Sequence, residues 1–137
     1  MVRKAGYKPS KFSAKDQVLE FDWEGGKSGI YSKSCEHPNS MIGEGVDMMV
    51  IDESAKIKNL RRIWEMYLRP TLSDKKGRCV FISTPDGYGY FWDLYNKGGR
   101  DANWFSFNSP SWQNKFAFPL GKKDPDLLEA KASLSLF

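Results

Sequence analysis

The sequence predicts an α/β protein built on a parallel sheet, and three observations carry that expectation. Residues 46–51 (Val-Asp-Met-Met-Val-Ile) and 78–82 (Arg-Cys-Val-Phe-Ile) are short, nearly unbroken apolar runs. Runs of that kind mark strands buried on both faces. Between them Leu60, Ile63, Trp64, Tyr67 and Leu68 recur at i, i+3, i+4, i+7 and i+8, which is one stripe of a helix. Strand, helix and strand succeed one another in roughly thirty residues, the length of a βαβ unit with a right-handed crossover.

The bulk numbers agree with a folded domain. A chain of 137 residues is long enough to bury a core, and 40% hydrophobic with 28% charged residues is the balance of a soluble globular protein. Five Trp, nine Phe and six Tyr supply large apolar surfaces, which excludes disorder throughout. No apolar run approaches the roughly 20 residues of a membrane-spanning helix, and no charged-then-apolar leader opens the chain. The expectation is a cytoplasmic, unprocessed protein with no membrane partner. Cys35 and Cys79 form no CxxC, and Cys35-Glu36-His37 is too poor a set for structural zinc. Both cysteines read as reduced structural thiols.

Net charge is +4, compatible with a polyanionic partner without requiring one. Its distribution says more. Arg3, Lys4, Lys8, Lys11 and Lys15 open the chain with no acid among them. Residues 1–17 therefore read as a basic arm, either simply solvated or in contact with DNA phosphates.

Taken in order, Val18, Leu19, Phe21 and Trp23 predict a strand, residues 24–28 a turn, and residues 29–33 a second strand that closes a hairpin. Residues 37–40 are a loop. The two apolar strands and their helix come next, with Pro70 expected to end or bend that helix and residues 73–77 to form a polar turn. Tyr90, Phe91, Trp92, Leu94 and Tyr95 predict a short helix closed by Gly98-Gly99, and residues 104–107 (Trp-Phe-Ser-Phe) a further strand. Asp124-Pro125-Asp126 is a helix start, with an N-cap acid, proline at the first helical position and a second acid facing the dipole. That helix is expected to run to about Leu134.

Chemistry concentrates at two strand ends. Residues 48–53 read Met-Met-Val-Ile-Asp-Glu, so two adjacent carboxylates sit where open parallel sheets place ligands. ATP hydrolysis needs two carboxylate roles: Asp52 would hold the Mg²⁺ shell and Glu53 would take a proton from the attacking water. This is the Walker B arrangement with its catalytic glutamate. The bland alternative is an apolar strand that ends in solvated acids. Ser83-Thr84-Pro85 ends the next strand, so its hydroxyls would share the sheet edge with Asp52 and Glu53 and could answer to a γ-phosphate. A turn that merely stops a strand would look the same in isolation; the pair, one βαβ unit apart, favours nucleotide chemistry. Gly26-Lys27-Ser28 resembles the tail of a phosphate loop, but Phe21 stands where its first glycine belongs and a strand comes after it instead of a helix. It reads as a lysine in a hairpin.

Residues 43–57 (GEGVDMMVIDESAKI) and then 78–98 (RCVFISTPDGYGYFWDLYNKG) resemble the large subunits of tailed-phage terminases, the ATP-driven motors that pump double-stranded DNA into procapsids. The likeness runs from about Leu19 to the chain's end, and includes Gly43-x-Gly45-x-Asp47, Asp-Glu-Ser-Ala and Ser-Thr-Pro in family order. Trp112-Gln113-Asn114 and FPLGKKDPDLLEAK look like the family's link toward its second domain. The resemblance implies Asp52 as the magnesium acid, Glu53 as the catalytic base, and Ser83, Thr84 and Pro85 as the coupling motif. Arg61 or Arg62 could approach a neighbouring subunit's nucleotide.

It also implies ATP and Mg²⁺ as cofactors, and DNA, a portal protein and a small terminase subunit as partners at the procapsid portal in the host cytoplasm. The fold it implies is a three-layer P-loop NTPase-type (RecA-like) sheet. Residues 18–137 would be the C-terminal part of the ATPase domain, with the phosphate-loop part and the family's nuclease domain missing. Negligible ATP hydrolysis by this chain alone is then expected, with a possible upstream chain supplying the loop. Two other readings stay open: a fragment of a DEAD-like helicase, which also pairs a DE strand with a hydroxyl motif, and a non-catalytic remnant that binds DNA or portal.

Overall fold

The computed structural model describes residues 8–43 and 45–134. Arg3 and Lys4 of the expected basic arm lie outside them. Within that segment Lys11–Ser13 forms a strand, β1, antiparallel to β2 (Val18–Trp23), which pairs in turn with β3 (Gly26–Tyr31). The second hairpin strand begins three residues earlier than the sequence suggests. Glu24 and Gly25 alone make the turn, so Trp23 can pair with Gly26 and the ladder continues to Val18 opposite Tyr31. Gly26 holds φ +141°, a conformation open to glycine.

The predicted βαβ unit is present. Strand β4 (Met48–Ile51) lies parallel to β5 (Arg78–Phe81), with Met48 opposite Arg78 and Ile51 opposite Phe81. The connecting helix is continuous over residues 60–73, in three parts: α1 (Leu60–Ile63), a π turn (Trp64–Leu68) and α2 (Arg69–Ser73). Pro70 does not end it. A proline lacks an N–H and crowds the carbonyl four residues back. The wider π turn just before it, in which the Arg69 amide reaches the Trp64 carbonyl, lets the helix pass through.

The core of this unit lies between the helix and one sheet face. Ile51, Leu60, Ile63, Trp64, Leu68 and Leu72 are buried, and the Trp64 ring meets Phe81 edge-on at 4.9 Å. Arg61, Arg62 and Glu65 face out, as the stripe predicts. The turn after α2 closes tightly: the Gly77 amide donates to the Leu72 carbonyl at 2.8 Å, and a Cβ on Gly77 would collide with the Val46 carbonyl.

Burial on both faces of the sheet is the expectation that needs correcting. Ile51 is buried, but Met48 is 65% and Val50 54% exposed, and Ile82 is exposed as well. Only two strands make up this sheet among the described residues, and the helix covers one side of it. An apolar run shows that a strand is meant to be covered, not that the cover lies in the same segment.

The chain divides into two units, Met1–Trp92 and Asp93–Phe137. Helix α3 (Tyr90–Lys97) spans the division, and α4 (Pro125–Leu134) belongs to the second unit. The helix start at Asp124 is as predicted: its buried carboxylate accepts from the amides of Asp126 and Leu120 at 3.3 and 3.4 Å. Residues 104–107 are not a strand. Trp104 and Ser106 are half-buried while Phe105 and Phe107 project and stack on each other, so the alternation is there without an edge to pair with.

Candidate active site at the ends of the parallel strands

Because β4 and β5 run parallel in register, the residues after Ile51 and those after Phe81 emerge at one edge. The ladder reaches one step further, with the Ile82 amide donating to the Ile51 carbonyl at 2.9 Å. Asp52 and Glu53 therefore stand beside Ser83, Thr84 and Pro85, as the sequence suggests.

The two segments are knit together at Ser54. It is fully buried; its amide donates to the Ile82 carbonyl at 3.0 Å, and its hydroxyl lies 2.6 Å from the Ile51 carbonyl and 3.2 Å from that of Ile82. One residue on, the Ala55 amide donates to the Ser83 hydroxyl at 3.1 Å. Three of these contacts tie the acid segment to the hydroxyl segment, and the fourth, from Ser54 to Ile51, folds the acid segment back on its own strand. Motif reading includes Ser54 in Asp-Glu-Ser-Ala but gives it no role of its own. Its signal is a small hydroxyl directly after two acids, at the point where the chain must fold back under the strand it has left.

On a regular strand Asp52 and Glu53 would point to opposite faces. Glu53 instead takes the left-handed conformation, φ 50° and ψ 35°, which costs a non-glycine residue about 1 kcal/mol. The turn re-aims its side chain, and the carboxylate lies 3.2 Å from the Lys56 ammonium. Asp52 accepts the Glu53 amide at 2.8 Å, which fixes its rotamer. Both acids are exposed. Thr84 and Pro85 are exposed and Ser83 is half-buried. Arg61, a candidate for a neighbouring subunit's nucleotide, lies over the Tyr90 ring at 4.8 Å; Arg62 is exposed on the same helix.

Asp52 and Glu53 are hard oxygen donors of the kind magnesium takes. Among the described residues no group of three or more His, Cys, Asp or Glu side chains converges. Magnesium needs no such group, being held by one or two carboxylates while keeping several waters. A phosphate cradle is not supplied by Gly26-Lys27-Ser28, which lies inside β3 with Lys27 3.8 Å from Asp22. No helix among the described residues is long and apolar enough to cross a membrane.

Comparison with known proteins gives relatives of one kind. The chain is 30% identical over 112 residues to the terminase large subunit of Escherichia phage T5, covering 79% of the chain and 24% of the relative. Over 73 residues it is 34% identical to the terminase large subunits of Thermus phage G20c and Thermus virus P23-45. It is a homologue of terminase large subunits. The match spans 53% of the chain and 15% of each Thermus protein, so the homology concerns a small part of their length.

Among solved structures, the ATPase domain of the Thermus phage P74-26 large terminase superposes with a TM-score of 0.69 and 21% identity. The match covers 92% of this chain and 62% of that domain, so the chain shares the fold of the matched part of a terminase ATPase domain. A variant of that domain, R139A, matches equally well. No family profile matches the chain.

Proposed function

We propose that this chain carries the acid pair and coupling motif of a terminase motor, acting with a phosphate-binding loop supplied by other residues to drive double-stranded DNA into a procapsid. The observation that carries the reading is the bonding of Ser54 and Ala55 to Ile82 and Ser83. It holds two carboxylates and two hydroxyls at one edge of a parallel sheet, where open α/β sheets take their ligands.

In this reading Asp52, its rotamer fixed by the Glu53 amide, would hold the water shell of Mg²⁺. The ion, when bound with ATP, would neutralise charge on the phosphates. Glu53 would accept a proton from the attacking water. Its ion pair with Lys56 is exposed on both sides, and such pairs are weak enough to open when a substrate water arrives. Ser83, Thr84 and Pro85 would report the state of the phosphate. The Ala55–Ser83 bond gives that report a route, because a shift of Ser83 pulls directly on the segment that bears Glu53. The expected setting is the procapsid portal in the host cytoplasm, with portal protein and small subunit as partners.

The sequence holds no G-x-x-x-x-G-K-[ST], so the chain alone should hydrolyse ATP negligibly. The test is ATP turnover by purified chain, alone and mixed with the protein encoded directly upstream. Turnover in the mixture only, lost in Glu53→Gln, is the expected result. Steady metal-dependent turnover by the chain alone would contradict the requirement for an outside loop. Turnover in the mixture that survives Glu53→Gln would remove the role given to that residue.

A further inference from the structure

The segment that runs from the hydroxyl motif to α3, residues 83–89, is exposed apart from Ser83 and contains two glycines, Gly87 (φ +68°) and Gly89. At its near end the Ser83 hydroxyl accepts the Ala55 amide. At its far end Tyr90 is fixed twice to the 60–73 helix. Its hydroxyl donates to Glu65 Oε1 at 3.1 Å, and its ring lies under the Arg61 guanidinium at 4.8 Å. Glu65 and Arg61 are four residues apart, so the ring and the hydroxyl each meet one of two side chains that are neighbours on one helix face.

We propose that Tyr90 is a latch and a positioning residue: by gripping Arg61 with its ring and Glu65 with its hydroxyl, it holds the far end of residues 83–89 to the helix and so fixes where Ser83 and Thr84 stand. Its effect on catalysis rests on the proposed ATPase function; its effect on the segment does not. Arg61 and Glu65 belong to the helix that also buries Trp64 against Phe81 of β5. The latch therefore closes a loop of structure: helix, strand, hydroxyl motif, Tyr90 and back to the helix. A phenol is a donor throughout the neutral range, and burial with the neighbouring Glu65 carboxylate pushes the Tyr90 pKa further up, to about 12.

Amide hydrogen exchange on the full chain tests the latch without nucleotide. Tyr90→Phe keeps the ring and removes the hydroxyl. Exchange at the Trp92 amide, which donates to the Gly89 carbonyl at 2.9 Å, should rise about tenfold, the change in opening equilibrium expected for one hydrogen bond to a carboxylate. The amides of β4 and β5 should exchange as before. Glu65→Gln, which retains a weaker acceptor, should give a smaller rise, and the double variant no more than Tyr90→Phe alone. Unchanged exchange in Tyr90→Phe, or a rise spread equally over β4 and β5, would overturn the latch.

In the mixture with the upstream protein, Tyr90→Phe should lower kcat and leave KM unchanged. Released exchange with unaltered kcat would overturn the positioning role. A mixture of wild-type proteins with no turnover at all would count against the ATPase function instead, and the exchange result would still decide the latch.

Discussion

At the scale of single residues, Ser54 shows how much a buried hydroxyl contributes when its acceptors are already satisfied. The Ile51 carbonyl also takes the Ile82 amide, and the Ile82 carbonyl also takes the Ser54 amide. Ser54→Ala therefore removes a hydrogen bond without orphaning a group, and should cost about 1 kcal/mol. Ser54→Val adds bulk where there is no exposed surface and should cost more, about 1–3 kcal/mol. Urea melts of the two variants measure this. Equal stability of Ser54→Val and wild type would mean the site is looser than its burial implies.

Two titrating groups make a second residue-scale prediction. Burial pushes the Cys79 thiol up to about 12 from 9.0, and Tyr90 goes up to about 12 from 10.0 through burial and the Glu65 carboxylate. Each is held in its protonated form by the fold. The stability each adds is present below its unfolded pKa and is lost as pH rises through the folded one. Melting temperature should fall between about pH 9 and 12. Cys79→Ser with Tyr90→Phe should flatten that decline, and an unchanged slope in the double variant would contradict the assignment. Burial also leaves Cys79 little thiolate at neutral pH, so it should alkylate more slowly in the folded chain than in urea.

At the scale of elements, the legible features obey local pattern, and the hidden ones depend on partners. The hairpin, the βαβ unit, α3 and α4 are each written in periodicity and caps, because those signals act within a few residues. The apolar run of β4 gives the strand and not its exposure, since cover is supplied by whatever packs on it. The same distinction explains residues 104–107, where alternation predicts a strand but pairing requires a neighbouring edge. Of the two outcomes expected at Pro70, ending the helix is the one excluded, and the π turn that accommodates the proline leaves no mark in composition.

The site divides along the same line: Asp52-Glu53 and Ser83-Thr84 stand out as residue types at strand ends. Ser54 and the Tyr90–Glu65–Arg61 contacts become visible only once the chain has folded back. Gly77 gives this scale its prediction. The turn between α2 and β5 brings Gly77 against the Val46 carbonyl, and that is backbone, which cannot swing aside. Gly77→Ala should lose about 1–3 kcal/mol by forcing the turn away from β4, read as a lower urea midpoint. A gain in stability, the usual entropic effect of Gly→Ala, would show that the turn yields.

For the molecule as a whole, the governing feature is a parallel sheet that, among the described residues, has a core on one side only. Helix and β4–β5 bury Ile51, Ile63, Trp64 and Leu68, while Met48, Val50 and Ile82 present an apolar surface to water. Parallel sheets are ordinarily covered on both faces, and two parallel strands with one cover are a poor stand-alone unit. The fold of the P74-26 ATPase domain extends well past the part this chain matches, 62% of it. A segment carrying a phosphate loop would be a suitable cover, because it would bring strands and helices of the same kind to the side of the sheet from which Met48 and Val50 project.

For the isolated chain this means low stability, and binding of a hydrophobic dye such as ANS while still folded. Val50→Thr keeps the β-branched shape of a strand residue but adds a hydroxyl to the open face. It should reduce dye binding at little cost to stability, and the upstream protein, if it docks there, should suppress dye binding by wild type. A cooperative melt at high temperature with no dye bound would show that the face is already content in water. Dye binding unaffected by Val50→Thr would place the exposed apolar surface elsewhere in the chain.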